Sequence, residues 1–196
     1  MRPLIDPPLA VAGAWLARRG VSANMVTVAG FAVGAAAVLA LAKGAFLVAL
    51  VLILLNRLAD GLDGAVARVR GPTDFGGYLD IVLDFIFYSA VVFGVALGQP
   101  EQALWAAFLI FSFVGTGVSF LAFAIIAAKR GLSTNTRGKK SIFYLGGLAE
   151  GTETIVTFVL ICLFPGAFPW IAGIFGAMCW ITTAFRIYEA RRAFDG

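Results

Sequence analysis

Residues 60–84 read DGLDGAVARVRGPTDFGGYLDIVLD, and this acidic stretch lies between two long apolar runs. It places Asp60, Asp63, Asp80 and Asp84 in segments that otherwise look membrane-embedded. A carboxylate inside a membrane helix costs roughly 2.5–3.5 kcal/mol even on a lenient insertion scale. Four such acids so close together predict a compensating cation, and a bound divalent metal is the cation that we expect.

The composition of the chain indicates an integral membrane protein. Of its 196 residues 61% are hydrophobic, whereas soluble domains are usually about 45–50% apolar. The chain contains no histidine, which excludes histidine-based catalysis and most zinc sites and leaves carboxylates as the natural bases and ligands. A chain of this length has no room for a separate soluble catalytic domain, so we expect residues 1–196 to form a single membrane domain.

Six apolar segments predict six transmembrane helices that follow an interfacial helix. Residues 1–22 combine an apolar side with Arg18 and Arg19, which is typical of an amphipathic helix at the headgroup level. Each apolar segment is near the roughly 20 residues that a bilayer helix requires. The predicted fold class is an all-α integral membrane protein with a six-helix bundle over residues 24–190. The predicted spans are residues 24–42, 45–67, 77–97, 102–127, 142–163 and 168–187.

The basic residues predict the orientation of these spans. With the N-terminus in the cytoplasm, 14 of the 15 Lys and Arg residues fall on the cytoplasmic side, and Lys43 is the exception. An excess of Lys and Arg in cytoplasmic loops sets the orientation of membrane proteins. We therefore expect a multi-pass protein of the cytoplasmic (inner) membrane, with both termini and the acidic stretch on the cytoplasmic side.

The spacing of the acids predicts that they meet. Asp60 and Asp63 are three residues apart and Asp80 and Asp84 are four apart, so each pair shares one face of its helix. A short turn joins the two helices, which lets the two faces approach each other. Carboxylate oxygens suit Mg²⁺, Mn²⁺ or Ca²⁺. Four carboxylates could hold two such ions, an arrangement that clamps a phosphoryl displacement.

Neighbouring residues favour a phosphate-bearing ligand. Gly61 and Gly64 remove side chains from the acidic helix, which would let a bulky ligand approach its backbone. Arg68 follows Gly64 by one turn, where it could pair with a phosphate. Two alternatives stay open: an ion network of the acids with Arg57, Arg68 and Arg70, or the acidic vestibule of a cation transporter or channel. Transporter sites lie near the bilayer midplane, whereas these acids are expected at one membrane face.

The pattern resembles the signature of the CDP-alcohol phosphatidyltransferases, D-x2-D-G-x2-A-R-x8-G-x3-D-x3-D. One departure exists, because seven residues rather than eight separate Arg68 from Gly76. The resemblance covers most of the chain, since the family has six spans and an N-terminal interfacial helix, and Asn24-x2-Thr27 is similar to its segment before the first span. The named positions are filled by Asp60, Asp63, Gly64, Ala67, Arg68, Gly76, Asp80 and Asp84.

The resemblance implies a reaction and a set of site residues. The reaction is the metal-dependent transfer of a phosphatidyl group from a CDP-linked lipid, most often CDP-diacylglycerol, to the hydroxyl of a small polar alcohol, with release of CMP. It belongs to phospholipid biosynthesis. Two divalent cations, Mg²⁺ or Mn²⁺, would be held by Asp60, Asp63, Asp80 and Asp84, and Asp84 would also be the general base. The implied CDP contacts are Asn24, Thr27, Asp60, Gly64, Ala67, Arg68 and Gly76. The implied assembly is a homodimer in the lipid bilayer, with no nucleic-acid partner.

The sequence leaves the acceptor alcohol open among glycerol 3-phosphate, inositol phosphate, inositol, serine and choline. The basic segment 129–140, which includes Lys139 and Lys140, either reflects membrane topology or binds an acceptor phosphate. Glu150 and Glu153 are acids within a predicted span and therefore functional candidates. They either contact the acceptor or pair with a base such as Arg186.

Overall fold

The computed structural model describes the backbone of residues 2–131 and 147–195, and the side chains of these ranges from residue 7 onward. Seven α-helices and two short 3₁₀ turns make up the described ranges, in which no strand occurs. The predicted all-α fold class is confirmed. The helices divide into two compact units, residues 1–100 and residues 101–196. The expectation of a single domain over residues 1–196 stays a prediction.

The first unit contains four helices that pack around small residues. Helix α2 contacts both α3 and α4, and α1 lies on α3. A Cβ atom added at Gly30 would lie 2.7 Å from the Cβ of Ala59, and one added at Gly34 would lie 2.7 Å from the Phe87 ring. These glycines therefore let α2 approach its neighbours within one chain. The helices are α1 (Arg2–Arg18), α2 (Ala23–Ala42), α3 (Phe46–Arg70) and α4 (Asp74–Gly98).

Local sequence explains where these helices begin and end. The Ser22 hydroxyl accepts a hydrogen bond from the backbone N–H of Met25 at 3.2 Å, which caps the start of α2. Helix α3 ends at Arg70, and the next residue, Gly71, has a φ of +93° that favours glycine. The Thr73 hydroxyl then accepts from the N–H of Gly76 at 3.0 Å and starts α4. The chain thus passes from the first acid pair to the second through a turn of three residues, 71–73.

The second unit contains α5 (Ala103–Lys129), α6 (Gly151–Leu163) and α7 (Phe168–Asp195). Helix α5 packs mainly on α7, where a Cβ atom at Gly115 would lie 3.2 Å from the Trp180 ring. The interior of this unit is partly polar, because Ser112, Thr182 and Arg186 are all buried. Cys162 and Cys179 are buried free thiols.

Four of the helical segments are long and apolar enough to cross a membrane, among the described residues. They are Ala23–Ala42, Asp74–Gly98, Pro100–Lys129 and Pro165–Asp195. Helix α3 has the length but carries Arg57, Asp60 and Asp63. Helix α6 has 13 residues, about 20 Å at 1.5 Å per residue, which is short of a hydrocarbon core of about 30 Å. The protein is therefore a multi-pass membrane protein, and the count of six spans is not confirmed.

The predicted span 142–163 begins too early. Residues 147–150 are not helical, and α6 begins at Gly151. The reason is a capping box, in which Glu150 precedes the helix and pairs with the backbone at Glu153 while the Glu153 side chain returns to the backbone of Glu150. Residues 142–146 lie outside the described part of the chain.

Candidate active site

The four predicted metal ligands come together in the first unit. One carboxylate oxygen from each of Asp60, Asp80 and Asp84 lies within 4.8 Å of the others. Asp63 lines the same small cavity, and its side chain is almost fully buried at 7% exposure. The acid-bearing faces of α3 and α4 therefore meet, as the spacing in the sequence predicts. We call Asp60, Asp63, Asp80 and Asp84 the acid cluster.

The acid cluster fits a divalent cation. The cavity between the carboxylates has a volume of about 10 Å³, close to the space that one water-sized sphere requires. The buried Oδ2 atom of Asp63 has no hydrogen-bond partner among the described residues. An unpartnered buried carboxylate oxygen is costly, and several hard oxygen donors around a space of this size are the ligands that Mg²⁺ or Mn²⁺ prefers.

A single arginine enters the acid cluster from α3. The Nη2 atom of Arg57 donates to Asp84 Oδ1 at 2.8 Å, and Nη1 lies 3.7 Å from Asp60 Oδ2. The Tyr88 hydroxyl donates to the other oxygen of Asp84, Oδ2, at 3.3 Å. Among the described residues, Arg57 is the arginine that pairs with these acids, whereas Arg70 donates to the Val21 carbonyl at 3.1 Å. The predicted ion network is thus formed in part, through Arg57.

A larger cleft adjoins the acid cluster. Its volume is about 330 Å³, within the range of small-molecule sites of roughly 300–1,000 Å³. Asp63 and Asp80 line both the cleft and the small cavity, so the cleft leads directly to the acids. Five of the residues predicted to contact CDP line it, namely Asn24, Thr27, Gly64, Ala67 and Gly76.

The two other predicted CDP contacts lie at the edges of this arrangement. Asp60 lines the small cavity rather than the cleft. Arg68 is exposed, and its Nη1 atom lies 3.5 Å from the position that a Cβ atom on Gly64 would occupy. The guanidinium of Arg68 therefore stands over the open backbone at Gly64, beside the cleft.

The glycines of the motif have different surroundings. Gly64 meets only the Arg68 side chain among described neighbours, so its backbone is open to the cleft. A Cβ atom at Gly76 would lie 2.9 Å from the Thr73 hydroxyl and 3.0 Å from Asn24 Oδ1, so glycine is needed there for close packing. The prediction that Gly61 opens the helix to a ligand is wrong. A Cβ atom at Gly61 would lie 3.0 Å from Leu9 Cδ1, because this side of α3 packs on α1.

The predicted acceptor residues belong to the second unit or lie outside the described residues. Glu150 accepts from the N–H of Gly147 at 3.0 Å, and Glu153 accepts from the N–H of Glu150 at 3.2 Å. Both glutamates also line a cleft of about 520 Å³ with Thr182 and Phe185. Lys139 and Lys140 lie outside the described part of the chain.

The buried arginine of the second unit, Arg186, is held by groups on α5. Its Nη1 atom donates to the Thr116 carbonyl at 2.9 Å, and its guanidinium lies 5.5 Å from the centre of the Phe120 ring. Glu150 and Glu153 each accept a backbone hydrogen bond at the start of α6, and the charges of Glu150 and Arg186 also attract each other, so pairing with Arg186 stays an alternative to acceptor contact.

Sequence reasoning gave too little weight to two residues beside the acid cluster. Arg57 entered only as a member of an alternative ion network, and Tyr88 did not enter at all. Helical spacing is the signal that points to both, because Arg57 precedes Asp60 by three residues and Tyr88 follows Asp84 by four. Both intervals place the two side chains on one face of a helix.

Comparison with known sequences identifies relatives along almost the whole chain. A family model described as CDP-alcohol phosphatidyltransferase matches residues 20–188. The inner membrane protein YnjF of Escherichia coli is 54% identical over 190 residues, which is 96% of this chain and 92% of YnjF. The archaetidylinositol phosphate synthase of Pyrococcus horikoshii is 27% identical over 198 residues, with 100% of this chain and 97% of that protein covered.

Solved structures with the same fold include phosphatidylinositol phosphate synthase (PgsA1) of Mycobacterium tuberculosis. Its crystal structure with CDP-DAG bound has a TM-score of 0.68 at 22% identity, over 93% of each chain. Its crystal structure in complex with manganese and citrate has a TM-score of 0.66 at 25% identity, over 93% of this chain and 88% of that one.

Proposed function

The chain belongs to the CDP-alcohol phosphatidyltransferase family, and from this premise we propose that it transfers a phosphatidyl group from CDP-diacylglycerol to a small polar alcohol with release of CMP. The observation that carries the proposal is the convergence of Asp60, Asp80 and Asp84 within 4.8 Å beside a cleft lined by the predicted CDP contacts. The cleft has the size of a small-molecule site. Its inner end is formed by the carboxylates that would face a diphosphate.

The acid cluster would hold the divalent cations that the family uses. We assign Asp60, Asp63, Asp80 and Asp84 as ligands of two ions, Mg²⁺ or Mn²⁺. The unpartnered Oδ2 atom of Asp63 supports this assignment, and so does the manganese in the crystal structure of the M. tuberculosis relative. When bound, such ions neutralise charge on the diphosphate and on the leaving CMP.

The side chains of this protein would bind the nucleotide and move the proton. Asn24, Thr27, Gly64, Ala67, Arg68 and Gly76 form or flank the cleft and would contact the CDP group together with Asp60. Asp84 would accept the proton of the acceptor hydroxyl as general base. The acceptor oxygen then forms a bond to the lipid-side phosphorus, the bond from that phosphorus to the CMP oxygen breaks, and CMP leaves.

The names of the relatives favour one class of acceptor. The P. horikoshii relative is an archaetidylinositol phosphate synthase and the M. tuberculosis relative is a phosphatidylinositol phosphate synthase, so the products they are named for carry inositol phosphate. We therefore propose a phosphorylated polyol, with inositol phosphate as the first candidate. We keep Lys139 and Lys140 as proposed contacts of its phosphate, and Glu150 and Glu153 as proposed contacts of its hydroxyls.

We place the protein in the inner membrane with its acid cluster at the cytoplasmic side. The placement is supported by the name of the E. coli relative, inner membrane protein YnjF, and by the six-span prediction, in which 14 of the 15 basic residues fall on the cytoplasmic side. At this interface the polar acceptor would arrive from water while the acyl chains of the donor stay in lipid. A homodimer is proposed on the family resemblance alone.

An acceptor panel tests the proposed reaction. The purified protein is incubated in lipid nanodiscs with CDP-diacylglycerol, Mg²⁺ and one of glycerol 3-phosphate, inositol phosphate, inositol, serine or choline, and CMP release is measured. We expect release with inositol phosphate above that with the other alcohols, and none after metal chelation. If none of the five alcohols causes CMP release, the proposed reaction is wrong. If another alcohol is preferred to inositol phosphate, only the proposed acceptor is wrong.

A further inference from the structure

We propose that Arg57 is a positioning residue that acts as the built-in counter-cation of the acid cluster. In this role it holds the Asp84 carboxylate in place and sets a fixed positive charge beside the carboxylates that would hold the metal. The inference rests on the proposed metal site. It adds that the positive charge of Arg57 competes with the metal for the carboxylates of that site.

The contacts of Arg57 join the two acid-bearing helices. Its Nη2 atom reaches Asp84 on α4 at 2.8 Å, and its Nη1 atom lies 3.7 Å from Asp60 on its own helix. The guanidinium therefore shares its charge between two of the three acids that lie within 4.8 Å of one another. Without this charge, the carboxylates of the metal-free protein would repel each other across a half-buried site.

Asn56 also holds the guanidinium of Arg57. The Asn56 Oδ1 atom accepts from Arg57 Nε at 2.9 Å and from Nη2 at 2.7 Å. Asn56 is itself buried at 4% exposure, and its Nδ2 atom donates to the Gly30 carbonyl at 2.8 Å. The side chain that orients Arg57 is thus anchored to the backbone of α2.

Two aromatic rings complete the enclosure of Arg57. Its guanidinium carbon lies 4.8 Å from the centre of the Phe87 ring and 5.3 Å from that of Tyr88, distances at which a cation is attracted to the ring face. The Tyr88 hydroxyl accepts from Arg57 Nη1 at 3.2 Å and donates to Asp84 at 3.3 Å. Only 14% of the Arg57 side chain is exposed, so its charge is poorly screened by solvent.

This enclosure distinguishes Arg57 from Arg68 and Arg70, the two arginines that follow on the same helix. Arg68 and Arg70 are exposed, and Arg70 donates to a backbone carbonyl. A fixed positive charge beside Asp60 and Asp84 has two consequences. It stabilises the acid cluster when no metal is bound, and it opposes the entry of a divalent cation. A residue that only packed against its neighbours would stabilise the protein without opposing the entry of a cation.

The experiment measures Mn²⁺ binding by electron paramagnetic resonance and thermal unfolding with and without Mn²⁺, on the purified full-length protein. Arg57→Met removes the charge and keeps much of the volume, and Arg57→Lys keeps the charge without the planar fork. Arg191→Gln is the matched control, because it removes an exposed arginine of the second unit that lies 3.9 Å from Asp195. Asp63→Asn reports separately on the proposed metal site.

We expect Arg57→Met to bind Mn²⁺ at least about tenfold more tightly than the wild type, since a nearby repelling charge is gone. Its unfolding temperature without metal should fall, and Mn²⁺ should raise that temperature by more than it does in the wild type. Arg191→Gln should match the wild type. Unchanged or weaker Mn²⁺ binding by Arg57→Met would overturn this proposal. Wild-type Mn²⁺ binding by Asp63→Asn would instead overturn the proposed metal site.

If Arg57→Met does not fold, the Arg57→Lys variant tests the positioning role. Its Mn²⁺ affinity should be within about threefold of that of the wild type. Its kcat should be at least tenfold lower at unchanged KM for CDP-diacylglycerol, because Asp84 is no longer held by the Arg57 guanidinium on one oxygen and by Tyr88 on the other. A wild-type kcat would exclude a positioning role.

Discussion

The acids of the two units are satisfied in different ways. In the first unit Asp60, Asp80 and Asp84 crowd within 4.8 Å, and the buried Oδ2 atom of Asp63 has no partner among the described residues. In the second unit Glu150 and Glu153 each accept a backbone hydrogen bond at the start of α6. The first arrangement calls for a ligand, whereas the second already contributes to the fold.

Two arginines that are largely shielded from solvent, Arg57 and Arg186, repeat this difference in part. Arg57 in the first unit pairs with carboxylates at 2.8 and 3.7 Å. Arg186 in the second unit donates to a backbone carbonyl, lies over the ring of Phe120 and is attracted by the charge of Glu150. An acid or base within a membrane segment is a functional candidate by default. The comparison teaches that the partner each side chain finds, rather than its presence in a span, separates a candidate metal site from a structural contact.

The largest expected effect is the loss of kcat when the proposed general base of the acid cluster, Asp84, is replaced. Asp84→Asn should lower kcat for CMP release about 10²- to 10⁴-fold, the usual contribution of a positioned general base. The control Asp195→Asn removes an exposed carboxylate of the second unit and should keep wild-type kcat. Steady-state CMP release in nanodiscs measures both, and an Asp84→Asn enzyme within a few-fold of wild type would remove Asp84 from the role of base.

The next effect concerns the basic segment that precedes the second unit's glutamates in the chain. The double variant Lys139→Ala, Lys140→Ala should raise KM for a phosphorylated acceptor about tenfold, because charge-assisted contacts to phosphate are lost. Turnover of an unphosphorylated acceptor should not change. KM values for inositol phosphate and for inositol provide the measurement, and an unaltered KM for inositol phosphate would end the phosphate-site interpretation.

A smaller effect separates the two roles that Glu153 can have. Glu153→Gln retains a side-chain oxygen for the capping box but removes the charge, so the unfolding temperature should stay within a degree or so of the wild type. KM for the acceptor should rise about three- to tenfold if the carboxylate contacts its hydroxyls. Glu153→Ala should in addition destabilise the protein by about 1 kcal/mol through loss of the cap. If both variants change stability and leave KM for the acceptor unchanged, Glu153 has a structural role only.

The smallest effect tests the support behind Arg57. Gly34→Ala would place a Cβ atom 2.7 Å from the Phe87 ring and 3.1 Å from Asn56 Nδ2. Overpacking of this kind costs about 1–3 kcal/mol, so the unfolding temperature should fall and kcat should drop a few-fold. The control Gly44→Asn, at a position with a φ of +71° and nothing within 4 Å of an added Cβ, should retain wild-type kcat. Equal kcat in Gly34→Ala would show that Phe87 and Asn56 do not need their present positions for turnover.

Much of the candidate site can be predicted from sequence because its geometry is local. Intervals of three and four residues on helices place Asp60 with Asp63 and Asp80 with Asp84, whatever surrounds them. The same local rule gives most helix boundaries, since Ser22, Gly71 and Thr73 are ordinary capping and turn residues. The start of α6 is different, because Glu150 and Glu153 fall inside a predicted apolar span and are seen to form a capping box only once their side chains are placed.

The surroundings of Gly61 and Gly64 show what a sequence cannot resolve. Both glycines lie on the same helix beside the same acids, yet Gly61 faces Leu9 and Gly64 faces the cleft. The difference depends on which side of α3 receives α1, and that is decided by packing between residues distant in the chain.

The sequence by itself determined the all-helical membrane character, the family and the four acids, because composition and short-range helical spacing do not depend on distant contacts. The tertiary structure alone decided which groups surround those acids. It placed Arg57 between Asp60 and Asp84, left an oxygen of Asp63 without a partner, and opened the cleft beside Gly64. The physical reason is that a charge in an apolar segment must be balanced by whatever the fold brings to it, and side chains far apart in sequence provide that balance.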